Sequence, residues 1–136
     1  MPDDPPRIVL VVDDDSAIGE NLKEILEMEG YLCWFARSAD AALRRLELEL
    51  RSPDVILLDF LMPGMSVRRF ISRLKDRATW AKAPIILISA ALPEDIPRDL
   101  QIDALMPKPF NLDLLLELVS GGVHQAAGPT MPNSGA

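Results

Sequence analysis

Three short runs along the chain are apolar without interruption: Ile8 to Val12 (IVLVV), Val55 to Asp59 (VILLD, closing on an acid) and Ile85 to Ser89 (IILIS). A strand with one wet face alternates polar and apolar residues, whereas a strand covered on both faces does not. The pattern predicts three inner strands of a parallel sheet. Weaker runs at residues 31–36 (YLCWFA) and 103–106 (DALM) supply two more.

Between these runs the apolar spacing lengthens to three and four. Ile18, Leu22, Ile25 and Leu26 make one helical stripe, which Gly30 ends. Ser38 heads a second, with Ala39, Ala42, Leu43, Leu46 and Leu50 on its inner face. Val67, Phe70, Ile71 and Leu74 mark a third. Asn111 caps a last helix carrying Leu112, Leu115, Leu116 and Val119, with Gly121 and Gly122 as its stop. Residues 90–107 are less favourable, because Pro93 and Pro97 restrict the backbone, so a fourth helix there is short or irregular, one or two turns at most.

Strand and helix thus alternate five times. That order implies an α/β fold: an open, doubly wound, five-stranded parallel sheet with helices on both faces. Such sheets bind ligands beyond the carboxyl ends of their strands, where the strand order reverses.

Composition narrows the picture. A chain of 136 residues suits one domain, expected over residues 7–120. Residues 1–6 are expected to be disordered and 121–136 (GGVHQAAGPTMPNSGA) to form a flexible tail or linker, since neither has much to bury. The formal net charge of −7 argues against direct grip on a nucleic-acid backbone. The pairs Arg44–Arg45 and Arg68–Arg69 read as solvated helix faces. No apolar run is long enough for a membrane-spanning helix, and MPDDPPR lacks the regions of a secretory signal, so a cytoplasmic location without membrane contact is expected. The lone Cys33 allows no internal disulfide and reads as a packed core residue; the lone His124 reads as a solvated tail residue.

Candidate chemistry collects at the strand ends. The first strand runs into Asp13, Asp14 and Asp15, the third ends in Asp59, the fourth in Ser89, and the fifth leads to Lys108. Singly these have ordinary explanations: acids favour a helix N-terminus, Asp59 precedes a turn, and lysines usually sit on the surface. Together they place repelling carboxylates at one sheet edge. An all-oxygen cation site suited to magnesium relieves such repulsion, and Lys108 adds a second positive charge. A carboxylate in that setting is placed to attack a phosphoryl group, a reaction driven by positioning and charge neutralisation.

With VVDDDS, LLDFLMPGM, LIS and MPKPF in this order and spacing, residues 7–120 resemble a receiver domain of bacterial two-component response regulators. The resemblance implies the flavodoxin-like strand order 2-1-3-4-5 and Asp59 as phosphoacceptor, with a histidine kinase or histidine phosphotransfer protein as donor. It implies Mg2+ (or Mn2+) held by Asp14, Asp59 and the backbone carbonyl of Leu61, with Asp13 acting partly through water. Ser89 would bind the phosphoryl group, Lys108 would pair with it, and Lys108–Pro109 would be cis. Such a switch is not a turnover enzyme and acts through an output protein the sequence does not name; a homodimer remains open.

The chain departs from the family pattern where Ser66–Val67 stands in place of the common Asp-Gly and where Leu105 replaces the aromatic three residues before the lysine; apolar Leu61 and Ala91 flank the phosphoryl site. Leu105 cannot offer a rotating ring, so any readout must use other contacts through an atypical fourth-helix face. Leu61 and Ala91 offer no group to orient water, which predicts slow self-dephosphorylation. Two rival readings follow: a degenerate receiver that binds partners or dimerises without phosphorylation, and a phosphatase using an aspartyl-phosphate. The second needs an acid two residues after the nucleophile, where this chain has Leu61.

Overall fold

Each uninterrupted apolar run becomes a strand buried along its whole length in the computed structural model, which describes residues 5–122. In chain order the elements are β1 (Ile8–Val12), α1 (Ser16–Met28), β2 (Leu32–Ala36), α2 (Ala39–Leu48), β3 (Val55–Asp59), α3 (Val67–Lys75), α4 (Ala78–Ala81), β4 (Ile85–Ser89), β5 (Ala104–Pro107) and α5 (Leu112–Glu117). All pairings are parallel, in the order β2-β1-β3-β4-β5. The order reverses beside β1, so the crevice of a doubly wound sheet opens between the ends of β1 and β3.

Alternate residues of each strand point to opposite faces, and the core divides accordingly. On one face Leu10, Val12, Ile56, Leu58 and Leu87 pack with Leu43 and Leu46 of α2, Phe70 and Leu74 of α3, and Trp80 of α4. On the other, Val9, Val11, Leu57, Ile86 and Met106 pack with Leu22 and Leu26 of α1 and Leu115 of α5. Cys33 is buried in this second layer, and burial pushes its thiol up to about 12, so it packs as an inert apolar group.

Local chemistry accounts for the helix starts. Asp15 caps α1 by accepting from Ala17 and Ile18 N–H. Ser38, Ser66 and Asn111 cap α2, α3 and α5 in the same manner. Gly30 takes φ +96°, a conformation open to glycine, as the chain turns from α1 toward β2. At the amino end of the sheet, Asp54 and Ile8 exchange two bonds: Ile8 N–H donates to the Asp54 carboxylate at 2.7 Å and Asp54 N–H to the Ile8 carbonyl at 2.7 Å. Asp103 and Ile85 repeat the clasp at 2.8 and 2.9 Å.

Several sequence expectations shift. Leu50 does not join the α2 stripe: the helix stops at Leu48, because the chain must turn back toward β3, and Leu50 is left fully exposed. Asp103 is not in β5, since its carboxylate caps Ile85 instead. Leu112 and Leu114 are half-exposed, and α5 opens after Glu117 into a wide turn, Leu118–Gly122. The helix α4 was not foreseen; four residues show no periodicity, and burial of Trp80 holds it. Residues 90–103 contain only a single 3-10 turn, Pro93–Asp95, as the prolines predict. Arg45 is not simply solvated: its guanidinium lies 5.0 Å from the Trp34 ring centre and bonds Glu49.

Pro6 is tied to the fold, its carbonyl accepting from Arg51 at 2.8 Å. His124 and most of the expected tail lie outside the described residues. No helix among the described residues is long and apolar enough to cross a membrane.

Candidate functional site

Parallel register carries four strand ends to one edge. Val12 pairs with Leu58, Asp59 with Ile88, and Ser89 with Pro107, so Asp13, Asp59, Ser89 and Lys108 emerge side by side. Backbone bonds hold the frame: Asp13 N–H donates to Ala36 at 3.1 Å, Phe60 N–H to Ile88 at 2.9 Å, and Lys108 N–H to Ser89 at 2.8 Å. The Lys108–Pro109 bond is cis.

Asp13, Asp59 and Ser89 are the buried polar side chains of the described residues. Each of Asp13, Asp14 and Asp59 offers a carboxylate oxygen within 4.8 Å of the others. Lys108 Nζ lies 3.3 Å from Asp13 Oδ2 and 3.4 Å from Asp59 Oδ1, bridging the two buried acids. Asp15, the third acid of the run, is turned away as the cap of α1, and its own N–H donates to Asp13 Oδ1 at 2.9 Å. Two acids of the triplet thus face the cluster, and the third starts the helix.

The Asp59 carboxylate is electrostatically uncomfortable. Burial, then the neighbouring charge of Asp13, raises its pKa to about 6, against the opposing pull of Lys108. Burial works against the Lys108 charge, but Asp59 and Asp13 outweigh it and its pKa lies above the ordinary value. One ammonium therefore does not balance the carboxylates facing it. Hard oxygen donors with surplus negative charge are the donor set a magnesium-sized cation takes, so the residues fit such an ion.

Ser89 Oγ accepts from Ala91 N–H at 2.8 Å, and its own proton is committed to no acceptor among the described residues. Leu61 N–H approaches Asp59 Oδ1 at 3.4 Å, which puts Leu61 on the loop over the acid with its side chain more than half exposed. Leu105 is half-buried in β5 against the first core layer. Arg68, in the first turn of α3, forms a two-point ion pair with Asp99, 31 residues away and without a periodic signal to link them.

Comparison with known proteins agrees with the fold. Residues 9–120 match the family model of the response regulator receiver domain. The phosphate regulon transcriptional regulatory protein PhoB of Pseudomonas aeruginosa is 37% identical over 89 residues, covering 65% of this chain and 38% of that protein. The transcriptional regulatory protein CpxR of Escherichia coli K12 is 36% identical over 106 residues, covering 76% of this chain and 43% of its own length. The chain therefore spans less than half of either curated relative. Among solved structures, the chemotaxis protein CheY4 of Vibrio cholerae superposes with a TM-score of 0.76 at 25% identity, over 85% of this chain and 98% of that one. The receiver domain of a signal transduction histidine kinase from Syntrophus aciditrophicus gives 0.74 at 30% identity, over 96% and 98%. With the family model matched over residues 9–120, this chain belongs to the response regulator receiver domains of two-component signalling.

Proposed function

We propose that the domain is a phosphoryl-accepting switch whose acceptor is Asp59. One observation carries the reading: Lys108 Nζ stands within 3.4 Å of both buried acids, Asp13 and Asp59, with Asp14 in reach of the same point. A buried acid beside a cation and two further carboxylates, at the switch point of a doubly wound sheet, is a nucleophile in a cradle suited to charge neutralisation.

In the transfer step an Asp59 carboxylate oxygen attacks phosphorus, and the bond from phosphorus to the donor's leaving group breaks. That leaving group is a histidine nitrogen in a kinase or phosphotransfer partner. The attacking oxygen must be unprotonated, a state that Lys108 favours against burial and the charge of Asp13. Lys108 exchanges its carboxylate partners for a phosphoryl oxygen, and the Ser89 hydroxyl donates its free proton to another. Asp13, Asp14, Asp59 and the Leu61 carbonyl would hold Mg2+ or Mn2+. Such an ion supplies neutralisation of charge on the phosphoryl oxygens.

Leu61 and Ala91 place no polar side chain at the mouth of the site. Water there finds no group to orient it for attack on the acyl phosphate, and the phosphorylated state is long-lived. The domain is a signalling switch rather than a turnover enzyme, and its output goes through a protein partner. The transcriptional role in the names of PhoB and CpxR belongs to longer chains, of which the match covers less than half.

Intact-mass spectrometry after incubation with acetyl phosphate and magnesium tests the reading, with Asp59→Asn and EDTA controls. One added phosphoryl group, absent from both controls, is the expected result. No adduct with acetyl phosphate or with a phosphorylated histidine donor would overturn it in favour of a phosphorylation-independent binding module.

A further inference from the structure

The sheet has two edges, and one of them is blunted. β5 is short, four residues, and ends on Pro107. β2, Leu32–Ala36, holds neither proline nor charge. Leu32 N–H donates to Arg7 and the Ala36 carbonyl accepts from Asp13, so residues 32, 34 and 36 bond to β1. Alternation then turns the N–H and C=O groups of Cys33 and Phe35 outward, with no partner among the described residues. Leu32 is exposed at the start of this edge.

Two ion pairs of the same form border β2. On α1, Lys23 Nζ meets Glu27 at 2.8 Å, and on α2, Arg45 Nε meets Glu49 at 2.7 Å. The first lies on the flank of α1 where Gly19 packs on Phe35. The second lies on the other face of the sheet, with Arg45 5.0 Å from the Trp34 ring centre. Burial dominates the Cys33 thiol, but the charges of Lys23, Glu27 and Arg45 all reach it, so both pairs sit level with the middle of the strand. All four side chains are more than a third exposed. Charges beside an edge usually guard it against pairing. These do not guard it against a copy of itself. Each pair sets a cation and an anion one helical turn apart along the edge. A two-fold axis through the edge reverses that order in the second copy, so each cation stands opposite an anion.

We propose that the β2 edge is a self-pairing interface: two copies join β2 to β2 antiparallel, about a two-fold axis at Trp34, between the Lys23–Glu27 and Arg45–Glu49 pairs. The product is one ten-stranded sheet, five strands from each copy. Cys33 exchanges backbone bonds with Phe35 of the partner subunit, and Leu32 covers Ala36 of the partner subunit. On the α1 face Lys23 meets Glu27 of the partner subunit; on the α2 face Arg45 meets Glu49 of the partner subunit. The carboxyl ends of the two sets of strands point in opposite directions, so both clusters around Asp59 stay open to a phosphoryl donor. The pairing does not depend on phosphorylation.

Analytical ultracentrifugation of the unmodified protein, from micromolar to millimolar concentration, tests the pairing. The weight-average mass should rise from 15.0 kDa toward twice that value. Over the same range, peptide-level hydrogen exchange should slow in residues 31–37 and stay constant in β5. Glu27→Lys with Glu49→Lys makes all four of these charges positive, and Lys23→Glu with Arg45→Glu makes all four negative. Each double variant should raise the dimer dissociation constant by about tenfold or more, the scale of like charges brought together. An equimolar mixture of the two variants should dimerise at least as tightly as wild type, a recovery that damage to either fold would not produce. A wild-type mass fixed at one chain would overturn the interface, as would a dimer whose exchange in residues 31–37 is unchanged. Folded variants that dimerise as wild type does, or that fail to recover on mixing, would overturn it too.

Discussion

Replacing Asp59 by asparagine should stabilise the metal-free domain while abolishing its chemistry. Asp59 is 4% exposed, and its pKa rises from an ordinary 3.8 to about 6, chiefly from burial and from Asp13. A carboxyl that binds its proton more tightly when folded costs stability once that proton is lost. The deficit is absent below pH 4, grows as pH rises from about 4 to 6, and is complete above about 6. About two pKa units at about 1.4 kcal/mol each set an upper bound near 3 kcal/mol, and relaxation of the site leaves about 1–3 kcal/mol to measure. Asparagine keeps the shape and removes the charge, and Lys108 keeps its 3.3 Å contact with Asp13. Urea titrations in EDTA at pH 4 and pH 8 read the difference: the variant should gain at pH 8 and match wild type at pH 4. Magnesium should narrow the gap by stabilising wild type. A variant no more stable than wild type at pH 8, with equal slopes against urea, would refute the account of Asp59 as a strained charge.

Lys108→Gln removes the cation between Asp13 and Asp59, and acetyl-phosphate labelling followed by mass should slow by about tenfold or more, the scale of a lost charge-assisted bond. Leu61→Asn puts a polar group at the mouth of the site and should shorten the phosphoryl half-life several-fold; an unchanged half-life would show that Leu61 does not limit water. Gly19→Ala in α1 should destabilise by about 1–2 kcal/mol in spite of better helix propensity, because the added methyl falls inside the Phe35 ring. Thermal denaturation of that variant with Phe35→Leu added should recover most of the loss.

Much of the fold and site was written locally. Uninterrupted runs marked β1, β3 and β4, because burial on both faces leaves no room for polar alternation. Caps at Ser38 and Asn111 were readable because a side chain two or three residues from an N–H needs no other partner. Asp13, Asp59, Ser89 and Lys108 could be found because strand ends mark the functional edge of a parallel sheet whatever its side chains are.

What the chain could not state locally was how distant parts meet. The division of labour within the acidic run, with Asp13 and Asp14 facing the site and Asp15 capping α1, depends on the angle at which the helix leaves the strand. The raised pKa of Asp59 depends on burial and on Asp13, a residue 46 positions away. The Arg68–Asp99 ion pair and the close approach of Phe35 to Gly19 likewise join residues that no period relates. Hydrophobic pattern acts over a few residues and therefore determines which elements form. Charge, cavities and close contacts act across space, and only packing the helices on both faces of the sheet decided them.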